Sequence, residues 1–114
     1  MLPANLQKQW AAAAQDTIKK LAQQPATYIK QGRPPRALEV AIRIAAPTDI
    51  EIVNAYGINA RIITVAADDL APDVLELFDR FWVAGETFTA NGVRAIRLGN
   101  ALIGYKCFSR GAEP

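Results

Sequence analysis

Residues 78–110, FDRFWVAGETFTANGVRAIRLGNALIGYKCFSR, decide the fold. Residues 81–84 form one apolar run, Gly85 breaks it, residues 87–97 resume it, Gly99-Asn100 turns the chain again, and residues 101–109 return. Three strands joined by such short glycine-containing connections predict an antiparallel meander, because a tight turn only reverses the chain. In the last strand Ile103, Tyr105 and Cys107 share one face, and Leu102, Lys106 and Phe108 share the other. A sheet that is apolar on both faces has to be covered on both, by its own curl or by neighbouring elements.

Working back from this stretch, residues 68–79 read as an acidic linker with Pro72, in which Val74, Leu75, Leu77 and Phe78 fit one helical turn plugging the bottom of a barrel. Residues 61–67 predict a strand with Ile63 and Val65 on one face and Ile62 and Thr64 on the other. Residues 48–60, TDIEIVNAYGINA, carry Ile50, Ile52, Val53, Tyr56 and Ile58 too close together for a solvated loop. They form either a hairpin closing one end of the barrel or a projecting docking loop. Leu38, Val40, Ile42 and Ile44 alternate cleanly with Glu39, Ala41 and Arg43, the pattern of a strand with one face in the core, and Pro47 ends it. Residues 31–35 are a loop whose two prolines remove ladder donors, and residues 27–30 start a strand.

The chain begins with an amphipathic helix over residues 5–24. Leu6, Trp10, Ala13, Ala14, Thr17, Ile18 and Leu21 recur at three- and four-residue steps, which places Trp10 in the core. Pro3 suits the start of this helix and Pro25 stops it. The expected protein is therefore one mainly β (α+β) domain, a small curled antiparallel sheet or β-barrel of five to six strands with an N-terminal amphipathic helix. Residues 1–25 supply the helix, 26–110 the barrel and 111–114 a tail.

Composition narrows the chemistry. A chain that is 51% apolar and 21% charged is ordinary for a soluble globular domain. Residues 11–14 are too short for a signal-peptide core, and no run approaches the roughly 18 apolar residues of a membrane span. The single cysteine, Cys107, excludes an intrachain disulfide and reads as a small core residue. There is no histidine, so the usual general base and the commonest transition-metal ligand are absent, and Ser109 has no partner for a hydrolase triad. The cluster Asp68, Asp69, Asp73, Glu76 and Asp79 lacks the spacing and tight-turn glycine of a calcium loop and reads as a solvated face. Gly85, Gly92 and Gly99 are turn or bulge positions, since no Walker lysine or helix follows them. These readings predict no enzyme, no metal and no cofactor.

Net charge is only +2, but it comes in blocks. Residues 1–46 carry seven bases against Asp16 and Glu39, residues 47–90 eight acids against Arg61 and Arg80, and residues 91–114 four bases against Glu113. Such blocks either give a subunit one basic and one acidic flank, favouring contact with its own copies, or reflect chance drift in solvated loops. A rival reading is a binding module for single-stranded nucleic acid or a bacterial protein, with Trp82, Phe88 and Tyr105 as stacking platform beside Lys106, Arg94 and Arg97. Weak overall basicity and the acids Asp79 and Glu86 next to the aromatics oppose it.

Asp79, Phe81, Val83, Gly85, Phe88 and Val93, followed by the apolar strand 102–110, resemble the C-terminal half of small head–tail joining proteins of tailed bacteriophages. The resemblance is to the head-closure, stopper and tail-completion group, including the lambda-type attachment protein, and the N-terminal helix is similar to lambda-type members. The lambda-like pattern has Gly-Asp ahead of the hairpin, where this chain has Phe78-Asp79. The resemblance implies a structural role without catalytic residues: copies form a ring in the virion neck, assembled in the host cytoplasm, between portal or adaptor and tail proteins. DNA passes through the channel without specific binding, and no membrane is involved. In such a ring Arg33 and Arg36, with Lys19 and Lys20, would meet Asp68, Asp69 and Asp73 of the next copy, and Ile50, Ile52, Val53, Tyr56 and Ile58 would form the docking loop.

Overall fold

Two tight turns set the register of the C-terminal half. In the computed structural model, which describes residues 4–21 and 23–111 with side chains from residue 8 onward, Ala84 (φ 50°) and Gly85 (φ 83°) join β4 (Arg80–Val83) to β5 (Glu86–Thr89). Positive φ at both central residues is the type I′ geometry that matches strand twist. Gly99 (φ 61°) with Asn100 joins β6 (Gly92–Leu98) to β7 (Ala101–Ser109), with positive φ at the first central residue only, as in a type II′ turn.

The stretch expected to be one strand, 87–97, is two. Ala90 N–H donates to Asp79 O at 2.8 Å and Phe78 N–H donates to Ala90 O at 2.9 Å, whereas Asn91 N–H donates to Phe108 O at 2.9 Å. The chain thus leaves β4 at Ala90 and joins β7 at Asn91. With β1 (Gln24–Ile29), β2 (Arg36–Ile44) and β3 (Arg61–Ala66), the antiparallel order is β5-β4-β1-β2-β3-β7-β6. The two edge strands, β5 and β6, are consecutive in sequence and separated by two residues. The sheet must therefore curl until its edges meet at this corner. The protein is mainly β with a curled antiparallel sheet and an N-terminal helix, as expected. It has seven strands rather than five or six, and the final stretch is two hairpins on opposite edges rather than a plain meander.

The concave side holds the main core: Tyr28, Val40, Ile63, Val65, Phe81, Phe88, Tyr105 and Cys107 are buried there. The alternation read in β2 and β3 is therefore correct, although Ile44 lies past the core and is exposed. Leu102 also packs on this core, contrary to the face assigned to it. The β6–β7 register shifts between Ile96 and Arg97, which face Gly104 and Leu102, so Ile103 is an extra bulged residue and the alternation is reset there.

The convex side is covered by two helices. α1 (Ala4–Leu21) crosses β7 and β3 through buried Ala11 and half-buried Ala14 and Ile18. The expected stripe is thus rotated by about one residue, and Trp10 is 47% exposed rather than in the core. Small residues set this choice. A Cβ on Gly104 would stand 2.8 Å from Val65 O and 2.9 Å from Ile18 Cδ1, so the helix sits too close to the sheet for an indole to fit between them. The helix ends at Leu21, and Pro25 lies inside β1 instead of capping the helix. It is tolerated because β4 pairs only from Ala26 onward, which leaves the missing N–H at a strand start. Pro3, the Leu6 side chain and residues 112–114 of the expected tail lie outside the described residues.

Residues 50–56 are neither hairpin nor projecting arm. They form α2 (Ile50–Tyr56), with Ile52, Val53 and Tyr56 on a second core of Ala45, Ala60, Ile62 and Phe108. Tyr56 stacks on Phe108 at 5.5 Å and 13°, and its hydroxyl sits over Gly92, where any Cβ would overlap it. A four-residue helix, α3 (Ala67–Leu70), follows β3. The plug beneath the main core consists of Leu70 and Leu75; residues 74–78 are not helical, and Val74, Leu77 and Phe78 point outward.

Two substitutions separate the roles of the small residues. Ala84→Asn relieves the αL cost of a Cβ-bearing apolar residue in the type I′ turn and is expected to raise stability by roughly 0.5–1 kcal/mol. Gly92→Ala forces Tyr56 off Phe108 and is expected to cost about 1–3 kcal/mol. Urea unfolding checks both, and near-ultraviolet circular dichroism reports the loss of the Tyr56–Phe108 stack.

Candidate interaction surfaces

The acidic residues around 68–79 are anchored within the chain. Asp79 is buried, and its Oδ2 accepts from Tyr28 Oη at 2.6 Å, Lys30 Nζ at 3.0 Å and the Glu76 N–H at 2.9 Å. Lys30 also bridges Glu76 at 2.8 Å and donates to Val74 O at 3.0 Å. One carboxylate therefore ties β1 to the turn that leads into β4. Sequence reasoning placed Asp79 in a solvated cluster. The available signal was its position directly ahead of an alternating strand, opposite a strand bearing Tyr28 and Lys30.

The residues assigned to two opposite flanks meet within one chain. Arg33 and Arg36 both pair with Asp73, at 3.7 and 3.2 Å, and Arg36 also donates to the backbone carbonyl of Asp69. Lys19 lies 3.5 Å from Asp68, bracing α1 against α3. The charge blocks therefore fold onto each other, and reversing Arg33 and Arg36 acts on the loop before it acts on any neighbour. Of the expected docking loop, Ile52, Val53 and Tyr56 are packed inward, while Ile50 and Ile58 are exposed.

The nucleic-acid platform is not assembled. Phe88 and Tyr105 lie in the main core, leaving Trp82 as the one exposed aromatic of the three. Lys106 and Arg94 face each other across β7 and β6 on the convex side, in the gap between α1 and α2. Arg94 lies over the Phe108 ring at 5.6 Å. In the same gap Arg43 pairs with Asp49 at 3.0 Å. The Asp49 carboxyl is held below its usual range by hydrogen bonds from Arg43 and the Ala46 N–H.

Cys107 is buried, and desolvation pushes its thiol up to about 12, so it has little thiolate and suits packing rather than chemistry. Among the described residues no three or more Cys, Asp or Glu side chains converge as a metal site, and no helix is long and apolar enough to cross a membrane. No protein-family model, curated protein or solved structure matches the chain.

The buried groups make stability sensitive to alkali. The Tyr28 phenol is pushed upward by burial and then by its bond to Asp79. For Lys30, burial pulls the ammonium down, but hydrogen bonds to Glu76 and Asp79 outweigh it and the net shift is upward. With Cys107, all three folded values lie above the unfolded ones. Their contribution is complete below about pH 8.5–10 and is lost as pH rises through the folded values. The urea midpoint is expected to fall between pH 8 and pH 11. Tyr28→Phe should lower it at pH 8 and flatten that fall, whereas an unchanged alkaline slope would contradict the assignment. Asp79→Ala leaves the buried Tyr28 hydroxyl and the Glu76 N–H without their acceptor, while Lys30 keeps Glu76, and is expected to cost about 3 kcal/mol.

Proposed function

We propose that the chain is a structural subunit of a bacteriophage neck, joining the capsid portal or adaptor to the tail as part of a ring. It works by docking, with no bond made or broken. One observation carries the reading: the chain presents large apolar side chains from several separate elements. Trp10 and Leu21 on α1, Ile50 on α2, Ile58 beyond it, Val74, Leu77 and Phe78 before β4, and Trp82 on β4 are all exposed. Scattered single residues need no explanation, but knobs on several sides of a small domain suit a subunit enclosed by neighbours. The curled sheet with a helix laid across it agrees with the layout that the head–tail joining resemblance implies. The burial of Phe88 and Tyr105 removes the support for single-strand binding.

The reading is tested in the phage or prophage genome that carries the gene. Interrupting it should leave DNA-filled heads and free tails side by side in electron micrographs, with infectivity restored by the wild-type gene in trans. Joined, infectious particles from the interrupted genome would refute the neck role.

A further inference from the structure

We propose that the loop at residues 74–78 of one copy docks into the groove between α1 and α2 of a second copy, linking copies head to tail. The inference rests on the neck reading and specifies its subunit contact.

The groove follows from how the convex face is covered. α1 and α2 shield separate parts of the sheet and leave two hollows of about 310 and 390 Å³. They are neighbours, because Lys106 of one and Arg94 of the other are cross-strand partners. Ile18 and Leu21 wall one side and Ile50 and Ile52 the other. The floor is positive. Arg43 is neutralised by Asp49, and Lys106 and Arg94 have no carboxylate within ion-pair distance among the described residues; Glu51 lines the α2 side of the hollow, so the cations exceed the carboxylates by one.

The loop is its complement. Val74, Leu77 and Phe78 are exposed, Phe78 at 73%, and Phe78 is held at φ 72°, a conformation rare for a bulky side chain. Its N–H bond to Ala90 O and the Asp79 bond to the Glu76 N–H fix the turn, so little ordering is left to be done on docking. Lys30 serves two carboxylates, Glu76 and Asp79, so the turn itself carries one negative charge in excess, with Glu76 66% exposed, while Arg33 and Arg36 share Asp73 at its base. An apolar, negative knob fits an apolar groove with a positive floor.

The partner has to be another copy. The loop is tied to the Arg36 end of β2 through Asp73, while the groove uses Ala41, Ile42 and Arg43 at its other end. At about 3.3 Å per residue the two lie about 20 Å apart along the strand, so the loop cannot reach its own groove. Two different patches on one subunit propagate head to tail and close into a ring when the rotation allows.

The test uses the full chain and two surface variants whose folding is verified by circular dichroism. The knob variant carries Leu77→Ser and Phe78→Asn; the groove variant carries Leu21→Asp and Lys106→Glu. In sedimentation velocity over rising concentration, the wild type should associate and each variant alone should remain monomeric. An equimolar mixture should form one 1:1 dimer and nothing larger, since each variant keeps one working patch. A monomeric wild type, variants that assemble like it, or a mixture without dimer would each overturn the docking. The same variants are then placed in the interrupted genome, where both should fail to restore joined particles. If both restore them, the docking is wrong and the neck role stands; if interruption itself leaves particles joined, the neck role is wrong whatever sedimentation shows.

Discussion

The Asp79 carboxylate is the interaction on which the rest of the structure depends. It sits where the irregular segment after α3 becomes β4, and it is nearly sealed from water. A carboxylate there is stable only if its charge and lone pairs are met, and Tyr28, Lys30 and the Glu76 N–H meet them. The backbone of the same residue accepts from Ala90, at the corner where the chain passes from one sheet edge to the other. One residue therefore joins the middle of the sheet, the plug that carries Leu75, and the corner where the edges meet. The curl of the sheet and the outward turn of Phe78 share this origin.

The fold was largely legible where side-chain alternation and turn chemistry act locally. The Leu38–Val40–Ile42 alternation, the Ile63–Val65 face and the glycine turns at Gly85 and Gly99 each determine a strand or a reversal over a few residues. What was not legible depends on distant partners. The break at Ala90-Asn91 carries a turn signal in Asn91-Gly92, but the chain bends there to change neighbours instead of reversing into a hairpin, so the signal alone does not show which strands pair. α2 is seven residues long, too short for helical periodicity to stand out, and its Ile52, Val53 and Tyr56 face exists only because Phe108 and Ile62 lie beneath it. The rotation of α1 turns on Gly104, about ninety residues away, which rewards alanine at the seam over tryptophan.

The interaction surface was the least legible part, and for an electrostatic reason. Block charges along a sequence describe which residues repel or attract only after folding has chosen their neighbours. Here folding joins Arg33 and Arg36 to Asp73, Lys19 to Asp68 and Lys30 to Glu76 and Asp79. These pairs brace the 68–79 segment against α1 and the β1–β2 turn. Among the charged groups that these pairs leave without a salt bridge are Lys106 and Arg94 on the convex strip, and Lys30 is shared by two carboxylates.

That remainder has a structural cause. A sheet this strongly curled covers its concave face with its own side chains, but its convex face is broader and needs other elements to shield it. α1 covers one part through a close small-residue seam, and α2 covers another by stacking Tyr56 on Phe108. Neither can widen its cover. α1 is held down by Gly104, and α2 ends at Gly57, whose φ of 99° suits a residue without a side chain. The strip between them stays open because the two ways of covering the sheet are both short-range. A sheet face left open at that point, with apolar walls and two cations that have no carboxylate partner, is the part of the fold that a neighbouring surface can finish.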